Sequence, residues 1–269
     1  MQRRNVRLVL PAITIPIVSF AGAQAAVAQS AAGAAAGDFD GLERIVYSSL
    51  RPGNWDIFYF ESPGAAPRRL TNHPGLDYDA AFSPDGRYVV FTSERRGNPD
   101  LYVIDLEGDA VPRLLIDSPA MEDQAAFSPD GESLAFVSTS GGDADIYTIA
   151  FRPGATLRMD DAVNLTRHPG GDFRPAFSPD GTRIAFSSDR DTAVYGHPMF
   201  PFTRQREGEL YVMARDGTDQ RRLTETPDWD GSPEWSPDGR TIYFYSARPR
   251  ELPGAPTSPI LGQEGGFRI

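Results

Sequence analysis

Short runs of β-branched and aromatic residues recur along the chain after residue 42, separated by clusters of Gly, Pro, Asp and Asn. One set of these runs ends in serine each time, at 45–49, 89–93, 134–138, 184–188 and 242–246. Runs of this kind, bounded by turn-forming residues, are typical of short β-strands. The pattern therefore predicts an all-β protein built from many short strands.

A five-residue motif, Phe-Ser-Pro-Asp-Gly, marks one turn of this pattern. It occurs at Phe82–Gly86, Phe127–Gly131 and Phe177–Gly181, and Trp235–Gly239 matches it with tryptophan in first place. Successive copies are 45, 50 and 58 residues apart. Proline fixes φ, aspartate bonds to the nearby backbone and glycine accepts the left-handed conformation, so the motif predicts a tight turn.

Positions before the motif repeat together with it. Five positions before each aromatic residue stands an acid: Asp77, Glu122, Asp172 and Asp230. One repeat predicts a four-stranded antiparallel meander, which cannot bury both of its faces alone. Units of this length bury their faces by stacking radially into a β-propeller.

The predicted blades cover 42–71, 76–117, 121–166, 171–224 and 230–269, about four and a half blades. With strands labelled A to D from the centre outward, the first blade lacks strand A. The last blade has A, B and the start of C, with Phe267 among the first residues of that strand. We therefore expect either a truncated chain or an arc that another subunit completes.

The pattern L-T-x-H-P-x-x-D…F-S-P-D-G…D-L-Y-V resembles the TolB-type propeller repeat, which is related in architecture to WD40 blades. The resemblance covers about 42–269. It implies a ring of six blades, so this chain is expected to be incomplete relative to such a ring. It also implies a non-enzymatic scaffold in the bacterial periplasm, here without the additional N-terminal α/β domain of TolB.

The first residues of the chain have the layout of a secretory signal. Arg3, Arg4 and Arg7 precede an apolar stretch from Leu8 to Ala23, and small residues follow. We predict a signal peptide at 1–28, a flexible lead-in at 29–41, and a periplasmic or secreted mature protein. Two prolines interrupt the apolar stretch, which is also short for a membrane span, so no membrane span is expected after cleavage.

Composition narrows the classes of function. The formal net charge of −11 disfavours nucleic acid as a partner. The absence of cysteine excludes disulfides, thiolate metal sites and cysteine nucleophiles. The sequence contains no G-x-S-x-G, P-loop, dinucleotide-binding or H-E-x-x-H motif, so these catalytic classes have no signature in it.

Candidate binding residues fall on one face of the predicted propeller, where the B–C and D–A connections lie. The B–C connection expands between Ser188 and Glu209 and again between Ser246 and Gly266. Long loops on a rigid scaffold usually carry binding, although they can also cover a subunit contact. The candidates are His73, Asp77, Glu122, His168, Asp172, Tyr195, His197, Phe200 and Asp230.

Two interpretations of the histidines and acids remain open. His73, His168 and His197 map to this same face, and imidazole with carboxylate could bind a divalent ion such as Mn²⁺ or Ca²⁺. The alternative, which we favour, is that these residues hold the D–A connection in shape through local hydrogen bonds. We therefore expect no cofactor and name no catalytic residue.

The leading functional hypothesis is a non-enzymatic scaffold that binds a protein or glycan partner in the envelope. The alternative is the propeller part of an enzyme, because two enzyme families also resemble this repeat. Prolyl oligopeptidase-type peptidases carry a hydrolase domain after the propeller, and oligogalacturonate lyases use a metal held by propeller histidines. A third possibility is a structural subunit whose open blade edges pair with other strands.

Overall fold

The computed structural model describes residues 25–26, 44–50, 53–62, 65–191, 194–197, 200–206, 208–226, 228–247 and 263–268. Twenty-three strands account for nearly all of the regular structure in these residues, together with a 3₁₀ turn at Met159–Asp161. The all-β architecture predicted from the repeat is confirmed. Within the same residues, no helix is long and apolar enough to cross a membrane.

Three complete blades form the middle of the molecule, each a four-stranded antiparallel sheet. Blade 2 contains β5 (Asp77–Phe82), β6 (Tyr88–Ser93), β7 (Asp100–Asp105) and β8 (Arg113–Leu114). Blade 3 contains β10 (Glu122–Phe127), β11 (Ser133–Ser138), β12 (Asp145–Ala150) and β14 (Val163–Asn164). Blade 4 contains β15 (Asp172–Phe177), β16 (Arg183–Ser188), β19 (Glu209–Ala214) and β20 (Arg221–Arg222).

Blade 1 has four strands in the structure, although the sequence predicts only three. They are β1 (Ala25–Ala26), β2 (Ile45–Ser49), β3 (Asp56–Phe60) and β4 (Arg68–Arg69). The innermost strand pairs Ala25 with Tyr47 and Ala26 with Val46. Strand β1 lies inside the range predicted to be a signal peptide, so the same residues have two candidate roles.

Blade 5 contains β21 (Asp230–Trp235), β22 (Thr241–Ser246) and β23 (Gln263–Arg268). The third strand begins four residues earlier than the sequence predicts, because it pairs with β22 along its full length, from Thr241↔Arg268 to Ser246↔Gln263. Contacts run from each sheet to the next, and the described sheets do not close into a ring.

Two further pairs of strands lie outside the blades. Strands β9 (Ile116–Asp117) and β13 (Leu157–Arg158) pair in parallel and join the outer edges of blades 2 and 3. Strands β17 (Val194–His197) and β18 (Phe200–Arg206) form an antiparallel hairpin between β16 and β19. The first long B–C connection is therefore a hairpin, which the sequence analysis does not predict.

The hydrophobic core consists of layers between neighbouring blades. Phe136 of blade 3 is fully buried with Leu101 of blade 2, and Phe186 of blade 4 with Ala135 of blade 3. The sheets of blades 2 to 4 thus bury both faces because a neighbouring blade covers each face, as expected for stacked repeats.

The Phe-Ser-Pro-Asp-Gly segments form the tight A–B turns that the sequence predicts. In blade 4 the hydroxyl of Ser178 donates to Asp180, 2.6 Å away, and accepts from the backbone N–H of Arg183 at 3.0 Å. Gly181 closes the turn with φ of +69°. The other three copies repeat these contacts. The serine and aspartate of each A–B turn therefore form hydrogen bonds within that turn.

Candidate binding face

The face opposite these turns, called here the loop-rich face, is formed by the B–C and D–A connections. The four repeated acids begin the A strands at this face, and each is 0% exposed. Each lies opposite the serine that ends the neighbouring B strand, as Asp77 does opposite Ser93. These acids therefore lie beneath the surface, and a partner at the surface does not reach them without rearrangement.

Arginine neutralises the buried acid in blades 2 and 4. Arg95 donates from Nη2 to both carboxylate oxygens of Asp77, at 3.0 and 3.2 Å, and from Nε to Ser93. Arg190 donates to one carboxylate oxygen of Asp172 at 2.7 Å and to Ser188 at 2.9 Å. A buried carboxylate needs such a partner because removing its charge from water is costly.

Glu122 of blade 3 is held differently from its counterparts. Its Oε1 accepts hydrogen bonds from Ser118 at 2.8 Å and Ser138 at 3.1 Å. Its Oε2 is buried and has no hydrogen-bond partner among the described residues. Burial raises the pKa of Glu122 to about 7, so this carboxyl group is near its titration midpoint at neutral pH.

A second row of buried acids begins the C strands, and the sequence analysis does not assign it a role. Asp56, Asp145 and Glu209 each accept a hydrogen bond from a threonine on the D strand side: Thr71, Thr166 and Thr224. Each threonine also accepts a hydrogen bond from the backbone N–H of the residue that follows the acid. The Leu-Thr pair that recurs in blades 1, 3 and 4 is the sequence signal that could have revealed these hydrogen bonds.

Two of the three histidines make local hydrogen bonds. Nδ1 of His73 accepts from the backbone N–H of Gly75 at 2.9 Å, and Nδ1 of His168 accepts from that of Gly170 at 3.0 Å. Both side chains thus brace the D–A connection, which supports the structural interpretation. Within the described part of the chain, no group of three or more His, Asp or Glu side chains is arranged to hold a metal ion.

The remaining candidates lie in the hairpin of blade 4. Tyr195 and His197 are on β17 and Phe200 begins β18, where His197 pairs with Phe200. Their backbone is placed in the B–C connection, hence on the loop-rich face, while their side chains are outside the described residues. At the base of the hairpin, the hydroxyl of Tyr211 donates to Asp191 at 2.5 Å.

The innermost strands contribute residues that the sequence analysis misses. Each A strand of blades 2 to 5 has a β-bulge, and its third residue takes a left-handed conformation although it is not glycine. These residues are Asp79 (φ 50°), Gln124 (φ 56°), Arg174 (φ 56°) and Ser232 (φ 53°). They stand two positions after the repeated acids and differ in every repeat, which is the signal that could have identified them.

Three of these bulge residues meet on the inner wall. Arg174 donates from Nη1 to Oδ2 of Asp79 at 3.0 Å, and its backbone N–H donates to Oε1 of Gln124 at 2.8 Å. Only 12% of the Arg174 side chain and 6% of the Asp79 side chain are exposed. Burial raises the pKa of Asp79 to about 6, against the lowering effect of Arg174.

Comparison with known proteins agrees with the repeat and the fold. The family model for the TolB β-propeller domain matches residues 11–124. TolB of the Tol-Pal system from Bordetella pertussis is 47% identical over 45 residues, which is 17% of this chain and 10% of the relative. The chain has a TolB-like β-propeller fold.

Solved structures extend this likeness over most of the TolB-like chain. TolB from Acinetobacter baumannii superposes with a TM-score of 0.59 and 25% identity, covering 75% of this chain and 45% of that one. An oligogalacturonate lyase in complex with manganese shares the fold, with a TM-score of 0.53 and 15% identity over 80% of this chain and 57% of that one. The chain thus spans a tenth of the length of the curated relative and about half of these structures.

Proposed function

We propose that this TolB-like protein is an exported periplasmic scaffold that binds a protein partner of the cell envelope through its loop-rich face, without catalysing a reaction. The observation that carries the proposal is the difference between the two ends of the blades. At one end the four A–B turns are alike, and in each of them the serine bonds to the aspartate of the same turn. At the other end, the B–C connection of blade 4 carries the β17–β18 hairpin, where blades 2 and 3 have connections of six residues.

The buried acids favour a protein-binding scaffold over a catalytic site at this face. Asp77 and Asp172 are bound by arginines, and His73 and His168 are bound to the backbone of their own connection. Groups engaged in this way maintain the shape of the connections. Recognition then depends on the outer parts of the loops, where the hairpin lies.

The hairpin is also anchored in a way that suits a binding element. Arg190 precedes it and joins Asp172 to Gln220, while Asp191 accepts from Tyr211. The strands on either side, β16 and β19, pair without a break from Arg183↔Ala214 to Ser188↔Glu209. The hairpin can therefore be exchanged without altering the blade that supports it.

The experiment replaces residues 192–207 with a short Gly-Ser connection and compares it with Asp130→Ala/Arg215→Ala, which breaks an ion pair at the opposite end of the blades. Each purified protein is cross-linked to envelope proteins of its own cells, and captured proteins are identified and then retested in purified form. We expect the hairpin exchange to weaken binding to the identified partner at least tenfold, and the double substitution to leave it unchanged.

Other outcomes would overturn the proposal. Equal binding by all three proteins would show that the hairpin is not the recognition element. Binding to envelope polysaccharide alone would replace the protein partner with a glycan. Fractionation that finds the chain in the cytoplasm would remove the envelope from the proposal altogether.

A further inference from the structure

Blade 3 differs from blades 2 and 4 at a matched set of positions on the loop-rich face. Where the other two blades have arginine, Arg95 and Arg190, blade 3 has Ser140. The histidine and glycine of the D–A connection are likewise replaced, by Ser118 and Ala120. The differences fall on one spot, around the buried acid that begins the A strand.

In blade 2 the residues around this acid form a binding site for a guanidinium group, called here the seat. Arg95 lies against Asp77 and Ser93, as described above, and its guanidinium carbon is 4.3 Å from the centre of the Tyr102 ring and 5.6 Å from that of Phe91. The seat has three parts: a buried carboxylate, a serine hydroxyl and an aromatic pair. Each part attracts a planar cation.

Blade 4 has the same seat, built from the corresponding residues. The guanidinium carbon of Arg190 is 5.0 Å from the centre of the Tyr211 ring and 5.3 Å from that of Phe186. Together with the bonds to Asp172 and Ser188, this reproduces the arrangement of blade 2. The seat is thus a repeated feature of the blades.

Blade 3 keeps every part of the seat except the arginine. Glu122 and Ser138 occupy the acid and serine positions, and the rings of Phe136 and Tyr147 are 6.0 Å apart, as are those of Phe91 and Tyr102. Among the described residues, no arginine lies over the Phe136–Tyr147 pair.

The connection that carries residue 140 has the same form as the one that carries Arg95. Both connections contain six residues, 94–99 and 139–144. The N–H of Gly97 donates to Glu94 at 3.0 Å, and that of Gly142 donates to Thr139 at 2.9 Å. The backbone at position 140 is therefore equivalent to that at Arg95, and a side chain there leaves the backbone at the matching position of the blade.

The acid of blade 3 has unused bonding capacity. Glu122 is 0% exposed, and its Oε2 has no hydrogen-bond partner in the described part of the chain. The nearby cation, Arg96, is paired with other acids. Its Nη1 lies 3.0 Å from Oδ1 of Asp117 and its Nε lies 3.8 Å from Oδ2 of Asp100. The negative charge of Asp100 acts on Glu122 as well, so the two carboxylates together attract a further cation to this site.

The seat of blade 3 is covered, since Glu122, Ser138 and Phe136 are each 0% exposed, so a guanidinium group enters only when the connection 139–144 moves. The backbone beside the seat is less tightly packed than in blades 2 and 4. A Cβ on Gly75 would lie 2.9 Å from Cα of Arg95, and one on Gly170 would lie 2.6 Å from Cα of Arg190. Ala120 has a Cβ at the equivalent position, so the backbone at Ser140 must lie farther from the D–A connection. Ser140 itself is exposed, and its N–H bonds to Ser138, which in turn bonds to Glu122.

We propose that the seat in blade 3, formed by Glu122, Ser138 and the Phe136–Tyr147 pair, binds the guanidinium group of an arginine side chain from a partner protein. Blades 2 and 4 fill this seat with their own arginines, whereas blade 3 leaves it to the partner. The proposal rests on the proposed function, because it gives the chemistry of one contact on the loop-rich face.

The test titrates the full chain at pH 8 with millimolar methylguanidinium, and with methylammonium as the matched cation, at constant ionic strength. Binding is followed by NMR shifts of the backbone amides around residue 140. We expect saturable binding with at least tenfold preference for methylguanidinium. Glu122→Gln and Ser140→Arg are each expected to abolish it, by removing the carboxylate or by filling the seat.

Arg95→Ser is the matched control, since it opens the seat of blade 2. We expect this variant to bind a second equivalent of methylguanidinium, with shifts around residue 95. If Arg95→Ser binds the probe in blade 2 while blade 3 of the unaltered chain does not, the seat of blade 3 is closed and the proposal is wrong. Unchanged binding in Glu122→Gln would overturn it equally.

A capped Ala-Arg-Ala peptide then tests the source of the group, with Ala-Lys-Ala for comparison. Saturable binding of the arginine peptide alone, lost in Ser140→Arg, supports a partner's side chain. Binding of methylguanidinium without binding of the peptide overturns that source. Because none of these titrations uses the cellular partner, their failure is distinguishable from failure of the hairpin experiment.

Discussion

Arg174 and Asp79 form an ion pair 95 positions apart in the sequence, with Nη1 of the arginine 3.0 Å from Oδ2 of the aspartate. The pair joins the A strand of blade 4 to that of blade 2, and the backbone of Arg174 also bonds to Gln124 of blade 3. One side chain thus ties three blades together at the inner wall, where both partners are shielded from water.

Removing one member of this pair should destabilise the protein more than removing both. Arg174→Gln leaves the buried Asp79 carboxylate without its cation, and we expect a loss of about 3 kcal/mol in the free energy of unfolding. The double variant Asp79→Asn/Arg174→Gln should recover at least half of that loss, since asparagine also tolerates the left-handed conformation. Urea unfolding of the single and double variants measures the coupling, and strictly additive losses would contradict the ion pair.

Glu122 should make stability depend on pH in a defined window. The pKa of this carboxyl group is raised from 4.5 to about 7 in the folded chain, so between those values the folded state holds a proton that the unfolded state has lost. Its contribution to stability is therefore full below pH 4.5 and falls as pH rises to 7.

Glu122→Gln removes that dependence while keeping an oxygen that can accept from Ser118 and Ser138. We expect the variant to gain on the order of 2 kcal/mol over the unaltered chain between pH 4.5 and pH 8. Chemical unfolding of both proteins at several pH values gives the difference. A difference that stays constant across this range would show that Glu122 is ionised throughout.

The aspartates of the A–B turns should act in the opposite direction. Hydrogen bonds from Ser178 and Thr182 lower the pKa of Asp180 to about 2. Its contribution is therefore present above pH 4 and is lost as pH falls towards 2. Asp180→Ala should cost about 1 kcal/mol at pH 7, because the carboxylate is exposed, and progressively less in acid. A cost that is the same at pH 3 and pH 7 would contradict this assignment.

Gly170 should resist substitution because of a close backbone approach. An added Cβ would lie 2.6 Å from Cα of Arg190, so the B–C connection would have to move. We expect Gly170→Ala to cost about 2 kcal/mol. Ala120→Gly is the matched change at the equivalent position of blade 3 and should cost less than about 1 kcal/mol. Thermal unfolding ranks the two variants, and equal costs would show that the approach in blade 4 is not constrained.

The N-terminus of the mature protein should decide which strands form blade 1. We expect N-terminal sequencing of the protein isolated from its own cells to begin at Gln29, which leaves β2 without its pairing to Ala25 and Ala26. Hydrogen exchange at Val46 and Tyr47 should then be faster than at the equivalent residues of blade 2. A mature chain that retains Ala25 and protects both amides would show that β1 is structural and that these residues are not part of a cleaved signal.

The sequence alone determined the all-β propeller, the strand order of blades 2 to 4 and the form of the A–B turns. It could do so because these features repeat: the motif at Phe82–Gly86 specifies a local backbone conformation, and any one copy predicts the others. The sequence also placed His73 and His168 in the D–A connection and favoured a structural role for them, in agreement with their bonds to Gly75 and Gly170.

Only the tertiary structure decided which side chains meet across blades. The ion pair of Arg174 with Asp79 depends on the curvature of the stacked sheets, and no local pattern encodes a contact between positions 95 residues apart. The burial of Asp77, the hairpin after Asp191 and the full length of β23 were decided in the same way. Burial and strand pairing are set by what covers or adjoins a residue in space, whereas a repeat in the sequence specifies only what lies next to it along the chain.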